Sequence, residues 1–264
     1  MSISVIVPTF SPKNYLWECL DSICAQTFDK NSYEVIVVLN GCGEPYDTFV
    51  KEYICNHPEV QWTYIQTDQA GVSNARNIAL DCAKGRYVAF IDDDDFVSPT
   101  YLEELYGKAS EDTIPLCYPY AFNDGSMEQL TYKITATYEN CSNDGKQPFQ
   151  RARKYFSGPW MKLIPMSFIR DRRFDIRFKN GEDSLFNFLI SDEFKYVDFT
   201  SMNAVYYRRY RSDSAVTAPR QLSDKFVNAV RMIKLYCSIY FSSPLNYSLT
   251  FFVTRVLAAV RSVL

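Results

Sequence analysis

The first 110 residues of this 264-residue chain alternate short apolar runs with segments of helical periodicity. The apolar runs contain β-branched residues, and the first two end at Pro8 and at Asn40-Gly41, a pattern that predicts buried strands. The predicted strands cover residues 3–7, 33–39, 60–66 and 86–91, and the predicted helices cover residues 14–26, 47–56, 72–84 and 99–107. This alternation predicts an α/β fold built on a doubly wound, mostly parallel sheet with helices on both faces.

The pattern changes after residue 113. Two strands are predicted on either side of the turn Asn123-Asp124-Gly125, and a polar segment follows them. The two strands cover residues 114–122 and 129–138. Further along the chain, helices are predicted at 165–172 and 183–191, strands at 196–199 and 204–208, and terminal helices at 223–240 and 245–264. We therefore expect a small antiparallel part and C-terminal helices, with a domain over 1–217 (halves 1–112 and 113–217) and an appendage over 218–264.

Polar side chains follow the ends of all four early strands. Thr9 follows the first strand, Asn40 the second, Asp68 the third and Asp92–Asp95 the fourth. Because the carboxyl ends of parallel strands share one edge of the sheet, where ligands bind in such folds, we expect a site at that edge.

Four consecutive aspartates, residues 92–95, end the fourth apolar run. Adjacent carboxylates repel one another and are costly to bury unpaired. Mg²⁺ and Mn²⁺ prefer oxygen ligands such as carboxylates and phosphates, and either ion would remove the repulsion between the carboxylates. The alternative is a solvated turn in which Asp95 supports the start of the next helix.

Two other segments raise the expectation of a site. Gly71-Val-Ser-Asn-Ala-Arg-Asn77 begins a helix at the same edge, so its N-terminus can face an anion, with Arg76 nearby. Gly181-Glu182-Asp183 begins a later helix. In the simpler alternative Arg76 is a solvated helix residue and the acids at 182–183 are a helix cap.

Charge divides unevenly along the chain. Residues 1–150 carry 9 Lys and Arg against 22 Asp and Glu, whereas residues 151–264 carry 19 against 9. The asymmetry indicates either an anionic ligand, lipid surface or partner for the basic half, or two halves that neutralise each other. The single histidine, His57, argues against His-rich zinc sites and His-based triads.

No apolar run reaches the roughly 18 residues that span a bilayer. The apolar tail at 249–264, interrupted by Arg255 and Arg261, predicts a helix that either lies on a membrane surface or packs on its own domain. Eight scattered cysteines with no signal peptide predict reduced thiols and a cytoplasmic location, with or without peripheral contact at the inner face of the membrane.

The ordered motifs resemble one family. Val5-Ile-Val-Pro-Thr9, Gly71–Asn77, Gly85-Arg-Tyr-Val-Ala-Phe-Ile-Asp-Asp-Asp-Asp95 and Gly181-Glu-Asp183 are similar to glycosyltransferase family 2, whose members have the nucleotide-diphospho-sugar transferase (GT-A) fold. Trp160-Met-Lys-Leu163 and Tyr206-Tyr-Arg208 followed by Ser214 resemble the bacterial polysaccharide and lipopolysaccharide members. The resemblance spans about residues 3–217.

The resemblance implies a metal-dependent inverting transfer of a sugar from a nucleotide-diphospho-sugar to a hydroxyl of a glycan or lipid-linked acceptor in cell-surface polysaccharide synthesis. It implies that Asp94 binds Mn²⁺ or Mg²⁺ and that Asp183 is the general base. Trp160 and Glu182 are expected at the acceptor, and no nucleic acid is expected as a partner. The expected donor contacts are Pro8, Thr9, Asn40, Asp68, Gly71, Asn74, Arg76, Asp92 and Asp93.

The chain departs from the family at Leu39-Asn40, where an acid that reads the base is usual. Asn40 can pair with a keto base, so we expect a UDP-sugar. Two alternatives stay open: a degenerate transferase that binds a sugar nucleotide without turnover, and a phosphohydrolase with an Asp nucleophile.

Overall fold

The computed structural model of the chain describes residues 1–211 and 221–263. The strands are β1 (Ile3–Thr9), β2 (Tyr33–Asn40), β3 (Gln61–Thr67), β4 (Tyr87–Phe90), β5 (Phe96–Val97), β6 (Thr113–Leu116), β7 (Tyr118–Asn123), β8 (Gln147–Pro148), β9 (Ile164–Pro165), β10 (Tyr196–Phe199) and β11 (Val205–Tyr210). The helices are α1 (Asn14–Cys24), α2 (Tyr46–Asn56), α3 (Val72–Cys82), α4 (Tyr101–Lys108), α5 (Thr135–Cys141), α6 (Met166–Ile169), α7 (Glu182–Leu189), α8 (Leu222–Ser242) and α9 (Leu249–Arg261).

The central sheet has the strand order β3-β2-β1-β4-β9. Its first four strands are parallel, with Val5 opposite Val35 on one side and Ala89 on the other, and only β9 runs antiparallel. Two three-stranded sheets, β6-β10-β8 and β5-β11-β7, mix parallel and antiparallel pairs beside it. The predicted mostly parallel sheet with a small antiparallel part is therefore confirmed.

The core forms because β1 and β2 are buried along their whole length. Helix α1 buries Leu16, Leu20 and Ile23, whose spacing places them on one helical face. Helix α3 lies against β1 and β2 with Ala75 and Ala79 buried, and these small side chains let its backbone come close to the sheet. That approach brings the first turn of α3 to the carboxyl edge of the sheet.

The sequence predictions in the second half differ from the structure in three places. The run 114–122 forms two strands, β6 and β7, which belong to different sheets. The predicted strand at 129–138 contributes only a bridge from Gln129 to Phe122, and helix α5 begins at Thr135. Tertiary contacts outweigh strand propensity here, since Thr135 bonds the carbonyl oxygen of Pro119 and Tyr138 bonds that of Thr200, both at 2.7 Å. The helix predicted at 165–172 is shorter, at Met166–Ile169.

Two terminal helices form, with α8 close to the predicted 223–240 and α9 beginning four residues later than the predicted 245, and both pack on α7. Phe188 of α7 meets Tyr236 of α8 edge to face at 5.2 Å and lies 5.6 Å from the ring of Phe251 of α9. Leu257 on the opposite face of α9 is exposed. None of the helices within 1–211 and 221–263 is long and apolar enough to cross a membrane. The predicted boundary at 217 and Ser214 lie outside the described residues.

We predict that Gly85→Ala destabilises the fold by about 1–3 kcal/mol, because overpacking costs energy of that order. A Cβ at Gly85 would lie 2.4 Å from the backbone nitrogen of Ser4. The matched control is Gly107→Ala in α4, where a Cβ meets nothing within 4 Å. Urea unfolding should show a lower midpoint for Gly85→Ala and an unchanged or higher midpoint for Gly107→Ala; equal midpoints would contradict this packing.

Candidate active site

Hydrogen bonds tie the strand ends together at the carboxyl edge of the sheet. The Thr9 hydroxyl donates to Asp93 Oδ2 at 2.6 Å. Asn40 Nδ2 donates to the carbonyl oxygen of Thr9 at 2.7 Å, and Asn40 Oδ1 accepts from the backbone N–H of Gly71 at 2.8 Å. The ends of β1 and β2, the acidic segment and the start of α3 thus form one connected edge.

The expected contact between Asn40 and a nucleotide base is not supported by this arrangement. Asn40 is 3% exposed, and both ends of its amide already bind backbone groups. Leu39 and Pro8 are buried in their strands. Asp68 is exposed just beyond β3, where it accepts a hydrogen bond from Gln66. Asn40 is therefore placed to position the edge of the sheet.

The four aspartates divide into two groups. Asp92, Asp94 and Asp95 each offer a carboxylate oxygen, and these oxygens lie within 4.8 Å of one another. The backbone N–H of Asp95 donates to the carbonyl oxygen of Asp92 at 3.1 Å, so the chain turns here and gathers the three side chains. Asp93 points instead toward Thr9. We call Asp92, Asp94 and Asp95 the acid cluster.

Strand β11 and the residue after it supply cationic and polar partners for the acid cluster. Arg211 Nε lies 3.0 Å from Asp94 Oδ2, and the backbone N–H of Arg209 donates to Asp95 Oδ1 at 2.8 Å. Arg209 Nε also donates to the backbone carbonyl oxygen of Asp94 at 3.0 Å. Sequence reasoning missed Arg209 and Arg211, although the mixed run of aromatic and basic residues from Tyr206 to Arg211 was a visible signal.

Burial and mutual repulsion shift the pKa values of these acids. Burial, with repulsion from Asp94 and Asp92, raises the pKa of Asp93 to about 7 despite the Thr9 hydrogen bond. Burial and neighbouring carboxylates also raise the pKa of Asp94 and of Asp95. Anionic carboxylates are therefore costly at this edge of the sheet unless more positive charge is added.

The acid cluster has the donor set that a hard divalent cation requires. Oxygen ligands around Mg²⁺ lie at about 2.1 Å from the ion, so neighbouring ligands are roughly 3–4 Å apart. The three carboxylates of the cluster come close to that spacing, and each has two oxygens with which to bind. A dication would also offset the repulsion that raises their pKa values.

Arg76 joins the acid cluster to the second half of the chain. Its guanidinium is 2% exposed and donates from Nη2 to Asp92 Oδ1 at 2.8 Å and from Nη1 to Asp183 Oδ1 at 2.7 Å. Asp183 lies in the first turn of α7. Burial raises the pKa of Asp183, Asp92 raises it further, and Arg76 opposes the rise. The two Nη atoms thus carry internal ion pairs, which makes Arg76 a link between the predicted donor acid and the predicted base.

Two other predicted donor residues lie at the start of α3. Gly71 precedes the helix with φ 137°, a conformation that favours glycine, and its exposed backbone forms the edge of the site. The Asn74 Nδ2 atom is buried and has no hydrogen-bond partner among the described residues. Asn74 therefore has an unused amide donor at the start of α3.

A buried lysine shapes the loop on the other side of Asp183. Lys162 is 0% exposed and donates from Nζ to the carbonyl oxygens of Gly158 at 2.6 Å and Trp160 at 2.9 Å. Asn187 Nδ2 donates to the same Gly158 oxygen and to the backbone carbonyl oxygen of Asp183, both at 2.9 Å. Sequence reasoning assigned no role to Lys162 or Asn187.

Both residues expected at the acceptor lie in this region, and both are more than nine-tenths buried. Trp160 stacks under Arg208, whose guanidinium carbon is 4.3 Å from the ring centre. Burial and the adjacent Asp183 raise the pKa of Glu182 to about 7. The structure thus brings Trp160, Glu182 and Asp183 together beside the acid cluster, with little of the first two facing solvent.

Known proteins share this sequence and fold. The family model described as Glycosyl transferase family 2 matches residues 4–173. The chain belongs to this family. The predicted family and enzyme class, that of glycosyltransferases, are therefore confirmed.

The chain is similar in sequence to three curated bacterial proteins that are named as glycosyltransferases, one of them as putative. The chain is 30% identical over 240 residues to glycosyltransferase GlyA of Streptococcus pneumoniae, covering 86% of this chain and 33% of GlyA. It is 26% identical over 239 residues to the poly(ribitol-phosphate) β-N-acetylglucosaminyltransferase TarS of Staphylococcus aureus, covering 88% of this chain and 40% of TarS. The putative glycosyltransferase EpsH of Bacillus subtilis is 26% identical over 218 residues, covering 80% of this chain and 62% of EpsH. The chain thus spans between a third and two thirds of these relatives.

Solved structures confirm the predicted GT-A fold. S. aureus TarS 1–349 in complex with UDP-GlcNAc matches with a TM-score of 0.73 at 21% identity, covering 99% of this chain and 72% of that one. The mannosyltransferase PcManGT of Pyrobaculum calidifontis, in complex with GDP-Man and Mn²⁺, matches with a TM-score of 0.60 at 15% identity, covering 98% and 73%.

We predict a pH-dependent stability difference between the wild type and Lys162→Met. Burial lowers the pKa of Lys162 from 10.5 to about 7. The Lys162 amine therefore binds a proton more tightly in the unfolded chain than in the folded chain. Its contribution to the free energy of unfolding falls as the pH drops from about 10 to 7, by up to about 1.4 kcal/mol per pH unit. Below about pH 7 this contribution is constant.

Urea unfolding between pH 7 and 10 tests this expectation. The free energy of unfolding of the wild type minus that of Lys162→Met should rise with pH. The exposed Lys154→Met provides the control and should give a flat difference. A flat difference for Lys162→Met as well would show that burial does not disfavour the protonated amine of Lys162.

Proposed function

We propose that this chain is a metal-dependent inverting glycosyltransferase that moves a sugar from a nucleotide-diphospho-sugar to a hydroxyl of a glycan or lipid-linked acceptor. The observation that carries the proposal is the Arg76 bridge, which holds Asp183 beside Asp92 and the acid cluster. By its name, the TarS relative transfers N-acetylglucosamine to poly(ribitol-phosphate), and this supports a polymer as the acceptor. A role in cell-surface polysaccharide synthesis is part of this proposal.

The donor would lie over the carboxyl edge of the sheet. We assign Asp94 as the ligand of Mn²⁺ or Mg²⁺, with Asp92 and Asp95 able to complete a carboxylate set, and Asp92 nearer the ribose and sugar. When bound, such a cation neutralises the diphosphate and stabilises the departing nucleoside diphosphate. Mn²⁺ in the PcManGT complex supports this assignment.

Four more residues would form the rest of the donor cleft. Gly71 forms the exposed edge at the start of α3, where Asn74 has an amide donor without a described partner. Thr9 holds Asp93 in place, and Asp68 lies at the exposed rim. The UDP-GlcNAc in the TarS complex supports a uracil base in the donor. Asn40 is not assigned to the base, because both ends of its amide bind backbone groups.

Asp183 would act as the general base on the acceptor hydroxyl. It takes the hydroxyl proton while the oxygen attacks the anomeric carbon from the face opposite the leaving group. The bond from that carbon to the diphosphate oxygen breaks with its electron pair, so the anomeric centre inverts. A raised pKa makes Asp183 a stronger base, and the Arg76 ion pair keeps it ionised.

The acceptor would approach through the second half of the chain. Trp160 and Glu182 lie next to Asp183 but are largely buried, so we assign them to the wall of the acceptor site. The connected Asp92–Arg76–Asp183 arrangement favours catalysis over binding without turnover, since a binding module has no need of a base. A cytoplasmic location and peripheral membrane contact stay part of this proposal.

We predict that Asp183→Asn lowers the kcat for Mn²⁺-dependent UDP-GlcNAc turnover by about 10²–10⁴-fold, the usual contribution of a general base. Asp94→Ala should raise the Mn²⁺ concentration needed for half-maximal activity by about tenfold or more, because a direct ligand is removed. Asp171→Asn, an exposed acid outside the site, is the matched control and should behave as the wild type. Full activity in both site variants would refute the assigned roles.

A further inference from the structure

A cavity of about 700 Å³ lies behind the first turn of α7, between the loop that enters this helix and helices α8 and α9. Gly181 and Ser184 form part of its wall, and they flank Asp183 along the chain. Successive helical residues point about 100° apart, so Ser184 faces the cavity while Asp183 faces Arg76. The cavity and the proposed base thus share one helical turn.

The lining of this cavity is strongly basic. Among the residues that the structure describes, it includes a single acid, Asp224, and five cations: Arg177, Lys179, Lys225, Arg231 and Arg255. Arg177 pairs with Asp175 at 2.6 Å. Within residues 1–211 and 221–263, no carboxylate forms a salt bridge with Lys179, Lys225 or Arg231. We call this space the basic cavity.

Arg255 is the most buried cation of the basic cavity. It is 9% exposed, and within the described parts of the chain its Nη atoms have carbonyl partners alone, Arg153 O at 3.2 Å and Phe156 O at 3.5 Å. Its Nε has no hydrogen-bond partner among the described residues. A buried guanidinium without an anion is costly, and this burial lowers the pKa of Arg255. An anionic ligand in the basic cavity would offset that cost.

We propose that the basic cavity binds a phosphate group of the acceptor, as a phosphodiester or a diphosphate. Guanidinium and ammonium groups are the usual protein partners of phosphate oxygens. The volume is that of an ordinary ligand pocket. The lining also has apolar side chains, including Val227, Met232 and Ala258, which can pack against the carbon chain of a polyol or a lipid.

The anion site stands on the geometry of the basic cavity alone. That the bound phosphate belongs to the acceptor rests on the transfer reaction proposed above. The shared turn supports this link, because an acceptor hydroxyl at Asp183 and an acceptor phosphate in the basic cavity would lie on two sides of residues 181–184.

The test measures binding of sodium pyrophosphate and of a glycerol phosphate oligomer by calorimetry, with EDTA present so that the acid cluster holds no cation. Lys225→Glu and Arg231→Glu should each weaken binding by at least about tenfold, because each substitution changes the charge of the cavity by two units. Lys234→Glu is the matched control, because Lys234 is exposed on the same helix and does not line the cavity. Its affinity should stay within about twofold of the wild type.

Three results would overturn the proposal. These are no saturable binding of either probe to the wild type, equal affinities in all variants, or a loss in Lys234→Glu as large as in the other two. The last of these would indicate a diffuse charge effect along α8.

Vesicles of phosphatidylglycerol separate the two sources of phosphate. Binding of the soluble oligomer that falls in Lys225→Glu and Arg231→Glu supports a phosphodiester chain. If the wild type binds vesicles and pyrophosphate but not the oligomer, and both charge reversals weaken that binding, the result supports a lipid-linked phosphate. Vesicle binding that survives both reversals, without binding of either soluble probe, contradicts the site.

Donor turnover separates failure of this proposal from failure of the proposed function. Hydrolysis of UDP-GlcNAc with Mn²⁺ should be unchanged in Lys225→Glu and Arg231→Glu, because neither residue lies at the acid cluster. Absence of hydrolysis in the wild type would count against the transfer reaction, whereas the calorimetric result would still decide whether the basic cavity binds phosphate.

Discussion

The buried guanidinium of Arg76 is the interaction on which the site depends. It pairs with Asp92 at the end of β4 and with Asp183 at the start of α7, so it joins the sheet to the second half of the chain. Without it, two carboxylates in poorly solvated positions would face each other, and removing one partner of such a pair leaves a costly buried charge. Helix α3 can present Arg76 there because small residues on its buried face bring it close to β1 and β2. The packing of one helix thereby sets the distance between the acid cluster and the proposed base.

The acid cluster explains the arginines of the late strand. Asp94 and Asp95 receive contacts from Arg211 and Arg209, which come from the opposite end of the domain in sequence. These contacts offset part of the repulsion, yet the pKa values of both acids stay raised. The balance suits a site that exchanges ligands, since a cation and a diphosphate supply the charge that the protein leaves incomplete. The basic cavity behind α7 shows the opposite imbalance, with an excess of positive charge beside the same helix.

Much of this could be predicted from sequence because the first half is locally consistent. Strands β1 to β4 and their helices follow from periodicity, and parallel topology places Thr9, Asn40 and Asp92 at one edge. The role of Asn40 could not be predicted, since its partners are the backbone of Thr9 and of Gly71, which only folding brings together. Helix α5 was missed because Tyr138 and Thr135 are held by distant backbone oxygens. Lys162 and Asn187 were missed for the same reason, as their partners are carbonyl oxygens with no signature in the sequence.

The most direct test of the central claim, that Arg76 holds Asp183 ionised beside the acid cluster, is the pH dependence of kcat/KM for UDP-GlcNAc turnover in Arg76→Met. Loss of the guanidinium should raise the pKa of Asp183 further, so the acid limb of the profile should move to higher pH by about one unit or more. Arg76→Lys, which keeps a charge without the two-pronged geometry, should move it less. An Arg76→Met profile that superimposes on that of the wild type would contradict the account.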